Sequence, residues 1–175
     1  MSQVANTPNS DPIATGYALA AIALGSNLGP SLATVQAAVE RLSQTADMVL
    51  IAQSPWYRTA AVGPPQPDYV NGCVGVQTRR SPQGLLQILL EIEQVFGRVR
   101  AERWGPRTLD LDLLLYEDLV LDTPTLTLPH PHLTERAFVL VPLADIVPNW
   151  VHPVTGLTIR QHCDHIDISG VDLWS

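Results

Sequence analysis

Asp110 and Asp112 stand two positions apart in RWGPRTLDLDLLL, residues 103–115, a stretch that otherwise reads as a buried strand. In a strand, residues two apart share a face. Both carboxylates therefore point one way, while Leu109, Leu111 and Leu113 point the other. On a helix the pair would diverge by about 200° and could not act together. Two like charges side by side repel and lose hydration, and a cation between them offsets both costs. Paired hard oxygens suit Mg²⁺, which takes one or two carboxylates and completes its shell with phosphate oxygens and water. A bare DxD also fits the wet face of a half-exposed strand, so the neighbouring residues must decide. All 10 basic residues are arginine, and Arg98, Arg100, Arg103 and Arg107 crowd the stretch just before the pair. Guanidinium forks match phosphate oxygens in geometry and charge. Carboxylates, a divalent cation and arginines around a polyphosphate are the apparatus of phosphoryl transfer. No P-loop or kinase glycine-rich motif accompanies them. GSNLG at 25–29 is too short and lacks the lysine.

Positioning such a pair requires a sheet and something to pack beneath it. Tyr17 to Leu24 is a short apolar run between glycines and reads as a buried strand. Leu32, Val35, Val39 and Leu42 recur at helical spacing and predict a helix from Ser31 to about Ala46. Met48 to Arg58 reads as a strand cut by Pro55 near its end, and the proline-rich Thr59 to Asp68 as a loop. Tyr69 to Thr78 is the next strand. Ser81-Pro82 opens a helix with an N-cap and a first-turn proline; Leu85, Leu89, Ile92 and Phe96 form its stripe, and Gly97 caps its end. Arg98 to Thr108 follows as a polar loop and Leu109 to Tyr116 as a strand. Leu119 to Leu128 suggests a small hairpin, Pro129 to His132 irregular chain, and Glu135 to Ile146 and the C-terminal region short helices. The order is strand, helix, strand, strand, helix, strand. It predicts an α+β, ferredoxin-like βαββαβ antiparallel sheet with helices on one face plus C-terminal additions.

The chain has 175 residues, 46% of them hydrophobic and 15% charged, which suits one folded domain over residues 17–175. Residues 1–16 read as a flexible polar extension without a secretory signal pattern. The net charge of -7 argues against nucleic-acid or membrane binding through bulk electrostatics. Cys73 and Cys163, two cysteines without metal-site spacing, read as reduced thiols, and the protein as cytoplasmic and monomeric.

GRVRAERWGPRTLDLDLLLY closely resembles the signature of the hydroxymethyldihydropterin pyrophosphokinase family of folate biosynthesis. ALGSNLG, YRTAAVGPPQPDYVNGCV and LPHPHLTERAFVLVPLADI resemble other blocks of that family, in the same order. The resemblance implies transfer of diphosphate from ATP to the hydroxymethyl group of 6-hydroxymethyl-7,8-dihydropterin, with release of AMP. It implies two Mg²⁺ ions on Asp110 and Asp112. Arg98 and Arg107 would stabilise the transferring group, and Arg100 and Arg103 would hold the triphosphate. Glu93, His130 and Arg136 fall where the family contacts nucleotide. Tyr69 and Phe138 would sandwich the pterin ring, Asn71 would bond its edge, and Thr59, Ala61 and Val62 would line it. Trp104 would close over both substrates. The Arg98–Thr108 loop is shorter than in some members and lacks a lysine found there; Pro131 stands where an aromatic residue is common.

Three other readings compete. A zinc site could recruit His130, His132, His152, His162 and His165, but their spacing is no known ligand pattern. Ferredoxin-like sheets also host RNA recognition, but the aromatic RNA-binding pattern is missing and the charge is acidic. Another Mg²⁺-dependent nucleotidyl or phosphoryl transferase on such a fold would use the carboxylate pair without needing Tyr69, Asn71 and Phe138.

Overall fold

The computed structural model of the chain describes residues 16–97 and 106–175. Residues 1–15 of the expected extension lie outside the described residues, as do Arg98, Arg100, Arg103 and Trp104. In chain order the elements are β1 (Ala18–Ser26), α1 (Ser31–Ser43), β2 (Met48–Gln53), β3 (Tyr57–Thr59), β4 (Tyr69–Thr78) and α2 (Pro82–Val95). They continue with β5 (Asp110–Tyr116), β6 (Leu121–Asp122), β7 (Thr127–Leu128), a 3₁₀ turn (Leu133–Glu135), α3 (Ala137–Ile146), α4 (Ile159–Asp164) and β8 (Asp172–Leu173).

The result is a mixed α/β domain built on an antiparallel sheet. The sheet runs β5-β1-β4-β3-β8, with β2 also pairing β4, and β6 and β7 form the small hairpin expected from the sequence. The strand expected from Met48 to Arg58 and cut by Pro55 is two strands, with Ser54-Pro55-Trp56 between them. Proline has no N–H to donate there.

One face of the sheet carries α1 and α2 over a core that includes Ile22, Leu24, Val35, Leu42, Leu85, Leu89, Leu111 and Leu113. The Ser81 hydroxyl accepts the Gly84 N–H at 3.0 Å and starts α2 as its sequence predicts. Helices do not keep to this one face. α3 covers the other, over Ala21, Ala23, Cys73, Leu114 and Leu115. β1 makes this possible: small side chains at Ala21, Ala23 and Gly25 line the second face and let a helix lie close. A β-bulge also contributes. Leu115 pairs with Ala21 and Leu113 with Ile22, so Leu114 is extra, and Leu114 and Leu115 both face the second core. β8, at the sheet edge beyond β3, has no sequence signal. Its two residues are held there by the Trp174 N–H bond to the Trp56 carbonyl at 2.9 Å and by the Arg58 guanidinium 4.6 Å above the Trp174 ring.

Candidate functional site

The site sits on the α3 face where β1 ends and β4 and β5 begin. Gly25 pairs with Asn71 on one side and Asp110 on the other; Ala23 pairs with Cys73 and Asp112. Directly paired residues project to one side of a sheet, so Asp110, Asp112 and Asn71 share a face. Both aspartates are half-buried, while Leu111 between them is in the first core. A Cβ on Gly25 would lie 2.9 Å from Asn71 Oδ1, so only glycine leaves Asn71 its place.

The acidic end is built from charges that keep contact with solvent. Arg107 Nη1 donates to Asp110 Oδ2 at 3.1 Å, with the two side chains 32% and 24% exposed. His130 Nε2 stands 4.0 Å from Asp112 Oδ1, beyond hydrogen-bond reach. Burial, then the nearby Arg136 and His132 side chains, push the His130 pKa down to about 4, while Asp110 pulls the other way. The ring is therefore neutral at pH 7. Its Nδ1 accepts the His132 N–H at 3.2 Å, which leaves its proton on Nε2, on the side of Asp112. Glu93, in the last turn of α2, is 4% exposed, and its Oε1 accepts the Leu111 N–H at 2.9 Å. β5 is the outer strand of the sheet, so this carboxylate satisfies an edge donor midway between the two aspartates.

The neighbouring end is built from neutral dipoles. Asn71 and Thr59 are both buried, and Asn71 Nδ2 donates to Thr59 Oγ1 at 2.6 Å. Tyr69 is half-buried and pairs with Thr59. Phe138 is half-buried at the start of α3, with the Arg136 guanidinium 5.7 Å from its ring centre. Ala61 is half-buried, and Val62 is 70% exposed, with a carbonyl that accepts Gln66 Nε2 at 3.4 Å.

Asn27 joins the two ends, and the reading from sequence did not single it out. It is 1% exposed. Its Nδ2 donates to Gln66 Oε1 and to the Pro67 carbonyl, each at 2.9 Å, and its Oδ1 accepts the Arg107 N–H at 2.9 Å. Its own N–H donates to the Arg107 carbonyl at 3.1 Å. The available signal was an amide residue set just behind the apolar run of β1, where a buried polar group must find partners.

The donor set fits a hard divalent cation. Two carboxylates share one face, and among the described residues no group of three or more His, Cys, Asp or Glu side chains is placed to hold a metal by itself. The remaining ligands would be phosphate oxygens and water, which is the habit of Mg²⁺.

Fold and site thus define a mixed α/β domain whose antiparallel sheet ends in an acidic pair flanked by an arginine, a neutral imidazole and a buried amide. The chain belongs to the 7,8-dihydro-6-hydroxymethylpterin-pyrophosphokinase (HPPK) family, whose model matches residues 21–148. It is 52% identical over 152 residues to the 2-amino-4-hydroxy-6-hydroxymethyldihydropteridine pyrophosphokinase of Synechocystis sp., covering 87% of this chain and 78% of that protein. It is 43% identical to the enzyme of the same name from Methylorubrum extorquens, covering 86% and 95%. Among solved structures it resembles Plasmodium falciparum HPPK-DHPS crystallised with pteroate, with a TM-score of 0.68 at 15% identity. That match spans 85% of this chain but 42% of the Plasmodium chain, and it speaks for the fold alone. By its family the chain is an enzyme, a pyrophosphokinase of folate synthesis.

Proposed function

We propose that this chain transfers diphosphate from ATP to the hydroxymethyl oxygen of 6-hydroxymethyl-7,8-dihydropterin, with Asp110 and Asp112 holding two Mg²⁺ ions. The observation that carries the reading is the row Asn71–Gly25–Asp110. It sets a buried ring-reading amide two strands from a metal-binding carboxylate, on one face. In the transfer the hydroxymethyl oxygen attacks the β-phosphorus, the bond from that phosphorus to the α–β bridging oxygen breaks, the hydroxyl proton is lost, and AMP departs.

The metal, when bound, neutralises charge across the phosphates and aligns them. The chain's own residues do the rest by placement and electrostatics. Arg107 gives one guanidinium contact to Asp110 and has further donors in the same plane for a phosphate oxygen. Neutral His130 offers Nε2–H, a donor that adds no positive charge. Arg136 stands beside it as a fixed cation for the nucleotide. Glu93 acts first on β5, holding Leu111 and so the spacing of the two aspartates. Asn71 and Thr59 read the pyrimidine-like edge of the pterin, Tyr69 and Phe138 take its faces, and the loop through Ala61 and Val62 closes its rim. Arg98 and Arg107 stabilise the transferring group, Arg100 and Arg103 hold the triphosphate, and Trp104 closes the site, as in the family.

The strand order and the antiparallel pairings fit a ferredoxin-like split βαβ plan, to which α3, α4 and β8 are additions. Among the described residues no helix is long and apolar enough to cross a membrane. A single cytoplasmic domain working as a monomer is our reading of the whole.

The test is AMP release from ATP, Mg²⁺ and 6-hydroxymethyl-7,8-dihydropterin, with Asp112→Asn as control. Pterin-dependent AMP that disappears in the variant supports both reaction and metal role. Release of ADP, or AMP without pterin dependence, overturns the reading in favour of another Mg²⁺-dependent nucleotidyl or phosphoryl transferase.

A further inference from the structure

Tyr57 and Asp145 have no part in the chemistry described so far. Tyr57, on β3, is 8% exposed, and its phenol donates a hydrogen bond to Asp145 Oδ2 near the end of α3. This side-chain bond ties β3 to α3. Tyr57 pairs directly with Asn71, so it prolongs the row Asp110–Gly25–Asn71 to the next strand. Two residues later on the same short strand stands Thr59, whose hydroxyl accepts from Asn71. α3 carries Phe138 in its first turn, and Cys73, buried on the same face, donates to the Val139 carbonyl at 3.7 Å.

β3 is only three residues long and lies where Pro55 and a proline-rich loop interrupt the ladder on either side. So short a strand has few backbone bonds to resist displacement. What else holds it sets where Thr59 stands. Burial of the Tyr57 phenol, together with its bond to the Asp145 carboxylate, pushes its pKa up to about 12. The phenol therefore remains a donor throughout the neutral and mildly alkaline range.

We propose that Tyr57 and Asp145 are positioning residues for the pterin slot: their bond holds β3 against α3, so that Thr59 on that strand, and Asn71 of β4 bonded to it, face Phe138 on the helix at the spacing a flat ring requires. Neither residue touches the reacting atoms. The inference rests on the pyrophosphokinase reading and names residues that support its ring site.

The experiment compares wild type, Tyr57→Phe, Asp145→Ala and Asp145→Asn in steady-state kinetics with each substrate varied. Tyr57→Phe keeps the ring and deletes the donor. Asp145 is exposed, so no buried charge is orphaned by that change. Tyr57→Phe and Asp145→Ala should raise KM for the pterin by about three- to tenfold, the scale of one lost hydrogen bond. KM for ATP should stay within about twofold. Asp145→Asn, which retains an acceptor, should recover most of the loss. A loss of thermal stability with the pterin KM unchanged would make the pair merely structural and overturn the inference, as would an equal rise in both KM values. Absence of pterin-dependent AMP from the wild type overturns the reaction reading itself, and the inference with it.

Discussion

The two ends of the site solve the same problem in opposite ways. At the acidic end Arg107, Asp110 and Asp112 are left a quarter to a third exposed. At the end proposed for the ring Asn71 and Thr59 are almost wholly buried and bonded to each other. Desolvation explains the division. Removing an ion from water costs several kcal/mol unless a partner of opposite charge replaces the hydration, whereas a neutral dipole needs only one good hydrogen bond. Charges proposed to meet a metal and a polyphosphate are therefore kept wet. Dipoles proposed to read a ring edge can be buried and held rigid in advance. His130 stands between the two cases: it lies with the charges, but burial and then the Arg136 guanidinium hold it neutral.

The sharpest way to test this contrast is to remove a group from each end. Asp112→Asn should lower kcat by about a thousandfold or more with little change in the melting temperature, because it deletes a proposed metal ligand from a half-exposed position. Steady-state AMP release and thermal denaturation measured together check this. Asn71→Ala should instead raise KM for the pterin by roughly ten- to a hundredfold and leave KM for ATP nearly unchanged, since the lost groups are buried and proposed to read the ring alone. Equal effects on both substrates would abolish the distinction between the ends.

Asn27 is the residue that breaks the contrast, because it bonds Arg107 at one end and Gln66 and Pro67 beside the other. Asn27→Ala leaves several of these groups unpaired and should cost about 2–3 kcal/mol of stability. It should also raise both KM values, which urea denaturation and two-substrate kinetics would show. Salt separates the ends without mutation. Raising ionic strength from about 0.05 to about 0.5 M should increase KM for ATP several-fold and KM for the pterin hardly at all, since screening acts on exposed charges.

A smaller effect concerns a histidine that lines one cleft with His130. His152 is buried, and its Nδ1 accepts the N–H groups of Val154 and Thr155, both at 3.2 Å. Burial first, then repulsion from His162, lowers its pKa from the usual 6.5. A histidine lowered on folding contributes stability that is present above 6.5 and is lost as pH falls below it. Melting temperature should decline on acidification through that range, and His162→Gln should make the decline slightly shallower.

Much of the acidic end is legible in the order of residues. A period of two in LDLDL places both aspartates on one side of a strand whatever that strand pairs with, because side-chain alternation is a local property of extended backbone. Ser81-Pro82 starts a helix for an equally local reason, and the 3.6-residue stripe of α2 shows which side will be buried. The motif blocks added the family, and with it the residues proposed for the ring, which spacing alone does not reveal.

Tertiary structure decided what faces these residues. That Gly25 must be glycine follows from Asn71 lying across from it, and this depends on the register of β1 with β4. That α3 covers the second face depends on small residues along β1 and a bulge at Leu114 in β5. The Asn27 bond to Arg107 spans 80 positions and the Tyr57 bond to Asp145 spans 88. Alternation and helical spacing describe a residue's neighbours within its own element. Contacts at such separations exist only once the sheet has chosen its strand order, and no local pattern carries that choice.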